Sequence, residues 1–86
     1  MAAIDEVRLN IKDEAGKPGE SRNVAYLTNL SQTRSIRVIL DCLDQAGSAH
    51  NQKMVHLPAG KDERLGRVTQ RPVWKYRIAG ADYMNG

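Results

Sequence analysis

The sequence has a single cysteine and no phenylalanine. One cysteine, Cys42, excludes an internal disulfide. Small exported domains commonly lean on disulfides, so a reducing compartment is favoured. With one tryptophan and three tyrosines, the large apolar anchors must come from Trp74, Tyr26, Tyr76, Tyr83 and the aliphatic runs. No apolar run approaches the roughly 18 residues of a membrane-spanning helix, so no membrane partner is expected. Residues 1–6 lack the basic start and apolar stretch of an export signal. A cytoplasmic location is the expectation if the chain is complete as given. Helix-period patterning is nearly absent as well.

What the chain does have is alternation. Val7, Leu9 and Ile11 alternate with Arg8, Asn10 and Lys12; Trp74, Tyr76 and Ile78 alternate with Lys75, Arg77 and Ala79. Successive side chains on a strand point to opposite faces, so each run has one apolar and one solvated face. The pattern predicts strands over Ile4–Lys12, Asn23–Thr28, Ser35–Leu43, Lys53–Leu57, Leu65–Val68 and Val73–Ala79. Polar or Gly/Pro-bearing stretches separate them, at 13–22, 29–34, 44–52, 58–60 and 70–72, with a tail over 80–86. In the second strand Val24 and Tyr26 share one face, and Ala25 and Leu27 the other. The third strand is apolar on both faces and carries Cys42, expected as a buried, inert thiol. Trp74 is expected to be largely buried.

This reads as one all-β domain over residues 1–86, with an ordered core from about residue 4 to 83. Burying so many half-apolar strands calls for a small antiparallel β-sandwich of about five to seven strands. A partly open barrel is the competing arrangement.

The order of turn signals resembles small bacterial immunoglobulin-like sandwich domains. The run Tyr26-Leu27-Thr28-Asn29-Leu30-Ser31 looks like the extended strand and Asn-Ser/Thr turn of such domains. The alternating Ile36-Arg37-Val38-Ile39-Leu40 follows, and then the turn Leu57-Pro58-Ala59-Gly60. The Gly after Leu65 and the closing Tyr76-Arg77-Ile78-Ala79-Gly80-Ala81 extend the likeness over residues 22–82. The paired cysteines and central-strand tryptophan of antibody domains are absent. The resemblance implies an immunoglobulin-like fold and a generic interaction role. It brings no catalytic residues with it.

Little in the chain has the spacing that chemistry needs. His50 and His56 match no compact zinc spacing, and no metal site is expected. Adjacent carboxylates such as Asp5 and Glu6 point to opposite faces of a strand, so they cannot work across one cleft. The stretches 16–19 and 58–61 lack the full phosphate-loop pattern. Pairing of His50 with Ser48 would be the one hydrolase arrangement, and it rests on turn geometry alone. No catalytic residue, enzymatic activity or cofactor is therefore expected.

Charge is the strongest functional signal. The net charge is +3, and it is spread unevenly. Acids outnumber bases in residues 1–20, and bases outnumber acids in residues 51–86. Arg64, Arg67, Arg71, Lys75 and Arg77 are interleaved with Trp74 and Tyr76. If the aromatics face the core, Lys75 and Arg77 face solvent. Such a basic face suits a protein partner with acidic character, since Arg is enriched at interfaces. The alternative is a nucleic-acid-binding β domain using the same C-terminal face. Ordinary charge protection of an edge strand accounts for the same residues without any partner.

Overall fold

In the computed structural model, which describes residues 2–84, the alternation resolves into six strands: β1 Val7–Asp13, β2 Asn23–Asn29, β3 Ile36–Leu43, β4 Ala49–Leu57, β5 Asp62–Arg67 and β6 Lys75–Tyr83. A 3-10 turn at Ala3–Glu6 precedes them. The strands form two antiparallel three-stranded sheets, ordered β1-β2-β5 and β4-β3-β6. The chain changes sheet after β2, after β4 and again after β5.

One core serves both sheets. β2 contributes Ala25 and Leu27, and β5 contributes Leu65. From the other sheet come Ile36, Val38 and Leu40 of β3 and Val55 and Leu57 of β4. Ala3, Val7 and Val68 complete the cluster, and Tyr76, Ile78, Ala81 and Tyr83 of β6 pack against its side. Ala25 and Leu27 face inward together, as the period-two reading requires. Among the described residues, no helix is long and apolar enough to cross a membrane.

Three bulges interrupt this regular pairing. Ala25 faces Gly66 while Tyr26 faces Arg64, so Leu65 is the extra residue on β5. Ile39 faces Gly80 while Leu40 faces Ile78, so Ala79 is extra on β6. Cys42 faces Asn51 while Leu43 faces Ala49, so His50 is extra on β4. A bulge reverses the parity of the side chains that follow it. On β6 the inward set is Tyr76 and Ile78 before Ala79, and Ala81 and Tyr83 after it.

Several boundaries differ from the sequence expectation. β6 runs on to Tyr83 through residues expected as a tail, because the bulge hides the continuing alternation. The end of that tail, residues 85–86, lies outside the described residues. β4 begins at Ala49 rather than Lys53, since the turn before it is closed tightly by Asp44. β5 begins at Asp62, ahead of the expected Leu65. Ile4 sits exposed in the 3-10 turn instead of opening β1. Cys42 is half-buried rather than buried, because the end of β3 runs past the shared core.

The crossings between sheets are tied at Asn29, which is 1% exposed. Its side-chain Nδ2 donates to the carbonyls of Arg34 (2.8 Å), Leu57 (3.1 Å) and Pro58 (3.3 Å). Its Oδ1 accepts from the Ser31 N–H at 2.9 Å. The buried Ser31 hydroxyl accepts from the Arg34 N–H at 3.1 Å, and the Ser31 carbonyl accepts from the Gly60 N–H at 2.7 Å. The Asn-Leu-Ser turn and the Leu-Pro-Ala-Gly turn are thus one hydrogen-bonded unit.

Candidate functional site

The five cations singled out in the sequence do not share a face. Arg64 and Arg67 stand on β5, opposite Tyr26 and Val24 of β2. Three residues apart, they would take opposite faces of a regular strand; the extra Leu65 between them brings both to the outer side of their sheet. Lys75 and Arg77 stand on β6 of the other sheet, opposite Leu43 and Asp41. They do share an outer face, as the alternation implies. Arg71 lies in the 68–74 connection.

Three of these arginines are held by the protein's own acceptors. Arg64 Nη2 donates to Glu14 Oε1 at 2.9 Å, and the Tyr26 hydroxyl donates to Glu14 Oε2 at 2.8 Å. Arg77 Nη2 donates to Asp41 Oδ2 at 2.7 Å, with Gln52 Nε2 on Oδ1 at 3.0 Å. The Asp41 side chain is 11% exposed and that of Arg77 58%, so the pair has a covered acid and an open base.

Arg67, 15% exposed, pairs with Glu20 at 3.1 Å. It also donates to the carbonyls of Glu14, Ser21 and Ala15 at 2.8, 2.8 and 3.2 Å. It is the clamp of the β1–β2 loop. Gly16 lets the loop approach: a Cβ there would stand 2.9 Å from Arg67 Cζ. Arg67→Ala is expected to free this loop, raising the rate at which a glutamyl endopeptidase cuts after Glu20 several-fold in the native protein. An unchanged cutting rate would refute the clamp.

The hydrogen bond from Arg64, helped by that from Tyr26, holds the Glu14 carboxyl below its ordinary range. Arg77, then Gln52, does the same for Asp41, and His50, then the Ser48 amide, for Asp44. A depressed folded value contributes stability that is complete above the unfolded value. It is lost as pH falls through the folded one. The thermal midpoint should therefore decline below roughly pH 4.5. The double variant Glu14→Gln with Asp41→Asn should show a flatter decline; an identical profile would count against these pairs.

A concave place lies away from these pairs. A cleft of about 400 Å³ lies between the β3–β4 turn (Asp44, Gln45, Ala46) and the β5–β6 connection (Gln70, Arg71, Pro72, Trp74). Trp74 was expected in the core. It is instead half-buried, since β6 begins at Lys75, two residues after the expected Val73, and Trp74 belongs to the bend. Its backbone is fixed on both sides: its N–H donates to the Leu43 carbonyl at 2.8 Å, and its carbonyl accepts from the Thr69 N–H at 2.7 Å. Thr69 has a φ of 56°, a conformation costing about 1–3 kcal/mol for such a residue. The Thr69 hydroxyl bonds with Ser21 Oγ (2.6 Å) and Asn23 Nδ2 (3.1 Å), which offsets that strain.

The opposite wall is equally fixed. Asp44 Oδ1 accepts the Ala46 and Ser48 N–H groups, each at 2.9 Å, and Oδ2 meets His50 Nε2 at 2.5 Å. Gln70 Oε1 accepts the Ser21 N–H at 2.6 Å. Arg71 is exposed and, unlike Arg64, Arg67 and Arg77, has no carboxylate within ion-pair distance among the described residues. Among these residues no group of three or more His, Cys, Asp or Glu side chains could hold a metal ion. The sequence signal for the cleft is a lone tryptophan two residues after an Arg-Pro pair, masked by the alternation of Trp74, Tyr76 and Ile78, which extends the strand pattern back over the bend.

Compared with protein-family models, curated proteins and solved structures, this chain matches none.

Proposed function

We propose that this protein is a non-catalytic interaction module of the small bacterial immunoglobulin-like kind, binding a protein partner of acidic character. The observation that carries the reading is the division of the cations. Arg64 and Arg67 lie on the outside of one sheet and Lys75 and Arg77 on the outside of the other. Three of the four arginines already serve internal carboxylates. Nucleic-acid binding draws its affinity from many phosphate contacts along a continuous cationic track. Isolated open cations beside an aromatic suit a protein surface better, where a few buried anchors carry the affinity.

Two measurements test the reading. Random-sequence single-stranded DNA and RNA should bind weakly even at about 50 mM salt. A partner protein captured by the native molecule should be lost from the Arg71→Glu, Lys75→Glu variant, which leaves the Arg77–Asp41 pair intact. Tight nucleic-acid binding that falls steeply with salt would overturn the proposal in favour of a nucleic-acid-binding domain.

A further inference from the structure

We infer that the Trp74 cleft receives a short partner segment in which an Asp or Glu adjoins a proline or a flat apolar side chain. The carboxylate meets Arg71 and the apolar group lies on the indole. This rests on the protein-binding reading and deepens it.

The chemistry of the walls selects the ligand. Trp74, Pro72 and Ala46 supply the apolar surface. Gln70 Oε1 is already occupied by the Ser21 N–H, so the bonding capacity left on that side chain is its amide N–H groups. Asp44 lines the cleft, but Ala46, Ser48 and His50 engage its oxygens. Arg71 brings further donors, with no carboxylate at ion-pair distance among the described residues. The open side-chain capacity is therefore chiefly donor capacity, which a ligand carrying acceptors would meet. A planar guanidinium is suited to a carboxylate through paired hydrogen bonds.

Size and charge narrow the choice further. A volume of about 400 Å³ is in the range of small ligand pockets, enough for a few side chains. The other arginines of the basic set, Arg64, Arg67 and Arg77, pair with Glu14, Glu20 and Asp41. Arg71 can thus satisfy a discrete carboxylate but gives no path for a chain of phosphates. Both walls are held by backbone hydrogen bonds, so the ordering cost of binding on the protein's side falls on side chains such as Arg71 rather than on the backbone.

Trp74 is the only tryptophan, so its fluorescence reports on the cleft without interference. A random heptapeptide library displayed on phage and selected on the intact protein should enrich sequences pairing Asp or Glu with Pro or an aromatic residue. Synthetic copies of those peptides should shift the Trp74 emission. Arg71→Gln, at an exposed position, should weaken them about tenfold. Failure to enrich any sequence, enrichment without acidic residues, or equal affinity for Arg71→Gln would each overturn the assignment. A captured protein partner that binds Arg71→Gln and the unmodified protein equally would remove the cleft from the interface and leave the protein-binding reading standing. Tight, steeply salt-dependent quenching of Trp74 by oligothymidylate would remove both.

Discussion

Asn29→Ala is expected to lower the free energy of unfolding by about 3 kcal/mol or more, since each buried polar group left unpartnered costs about 1–3 kcal/mol. The side chain joins the end of β2 to the backbone of Arg34, Leu57, Pro58 and Ser31. Its loss strands carbonyls on both sides of two crossings. Water cannot easily replace it, because Asn29 is buried. Asn29→Asp should be as damaging: it keeps an acceptor for Ser31, removes the donor, and brings a charge into a covered site. Urea unfolding would measure both, with Leu30→Ala as the exposed neighbour for comparison. A loss below about 1 kcal/mol in Asn29→Ala would refute the role given to this residue.

Leu40→Ala should cost about 2–5 kcal/mol, the range for emptying a packed aliphatic site. Leu40 is fully buried in the cluster that both sheets share. Met54 offers the contrast on the same sheet. It faces Ile39 across β3 and is 65% exposed, so Met54→Ala should change stability by no more than about 0.5 kcal/mol. Comparable losses in the two variants would mean that the sheets do not bury the faces assigned to them.

Much of this architecture was legible because alternation is a local signal. Parity alone separates Ala25 and Leu27 from Val24 and Tyr26, and the core takes Ala25 and Leu27 together. Two observations from the sequence also proved to be one. The turns around Asn29 and Pro58 were noted separately, and they meet in space through the Asn29 side chain. Where the reading stopped short, an extra residue was the cause. Ala79 shifts the inward set from even to odd positions, so β6 looked finished where it continues. Leu65 gathers Arg64 and Arg67 onto one side, which regular alternation forbids. Which carboxylate an arginine meets depends on loop closure, as with Arg67 and Glu20, or on strand register, as with Arg77 opposite Asp41. Local pattern holds no trace of it. Trp74 departs from the expectation for a simpler reason: the alternation places it inside a strand from Val73, and the strand starts at Lys75.

The bulge at Ala79 makes the length of β6 matter more than the identity of the bulged residue. Ala79 is exposed, and its side chain belongs to no part of the core. Many residues can stand there at little cost. Deleting it is a different event, because a one-residue slip turns every following or preceding side chain through the sheet. Either Tyr76 and Ile78 would face water while Lys75 and Arg77 entered the core, or Ala81 and Tyr83 would exchange places with Gly80 and Asp82. In a lineage of such chains, position 79 would then tolerate wide variation in residue type and almost no gaps. An exposed, freely substituted position can in this way be among the least dispensable in the chain.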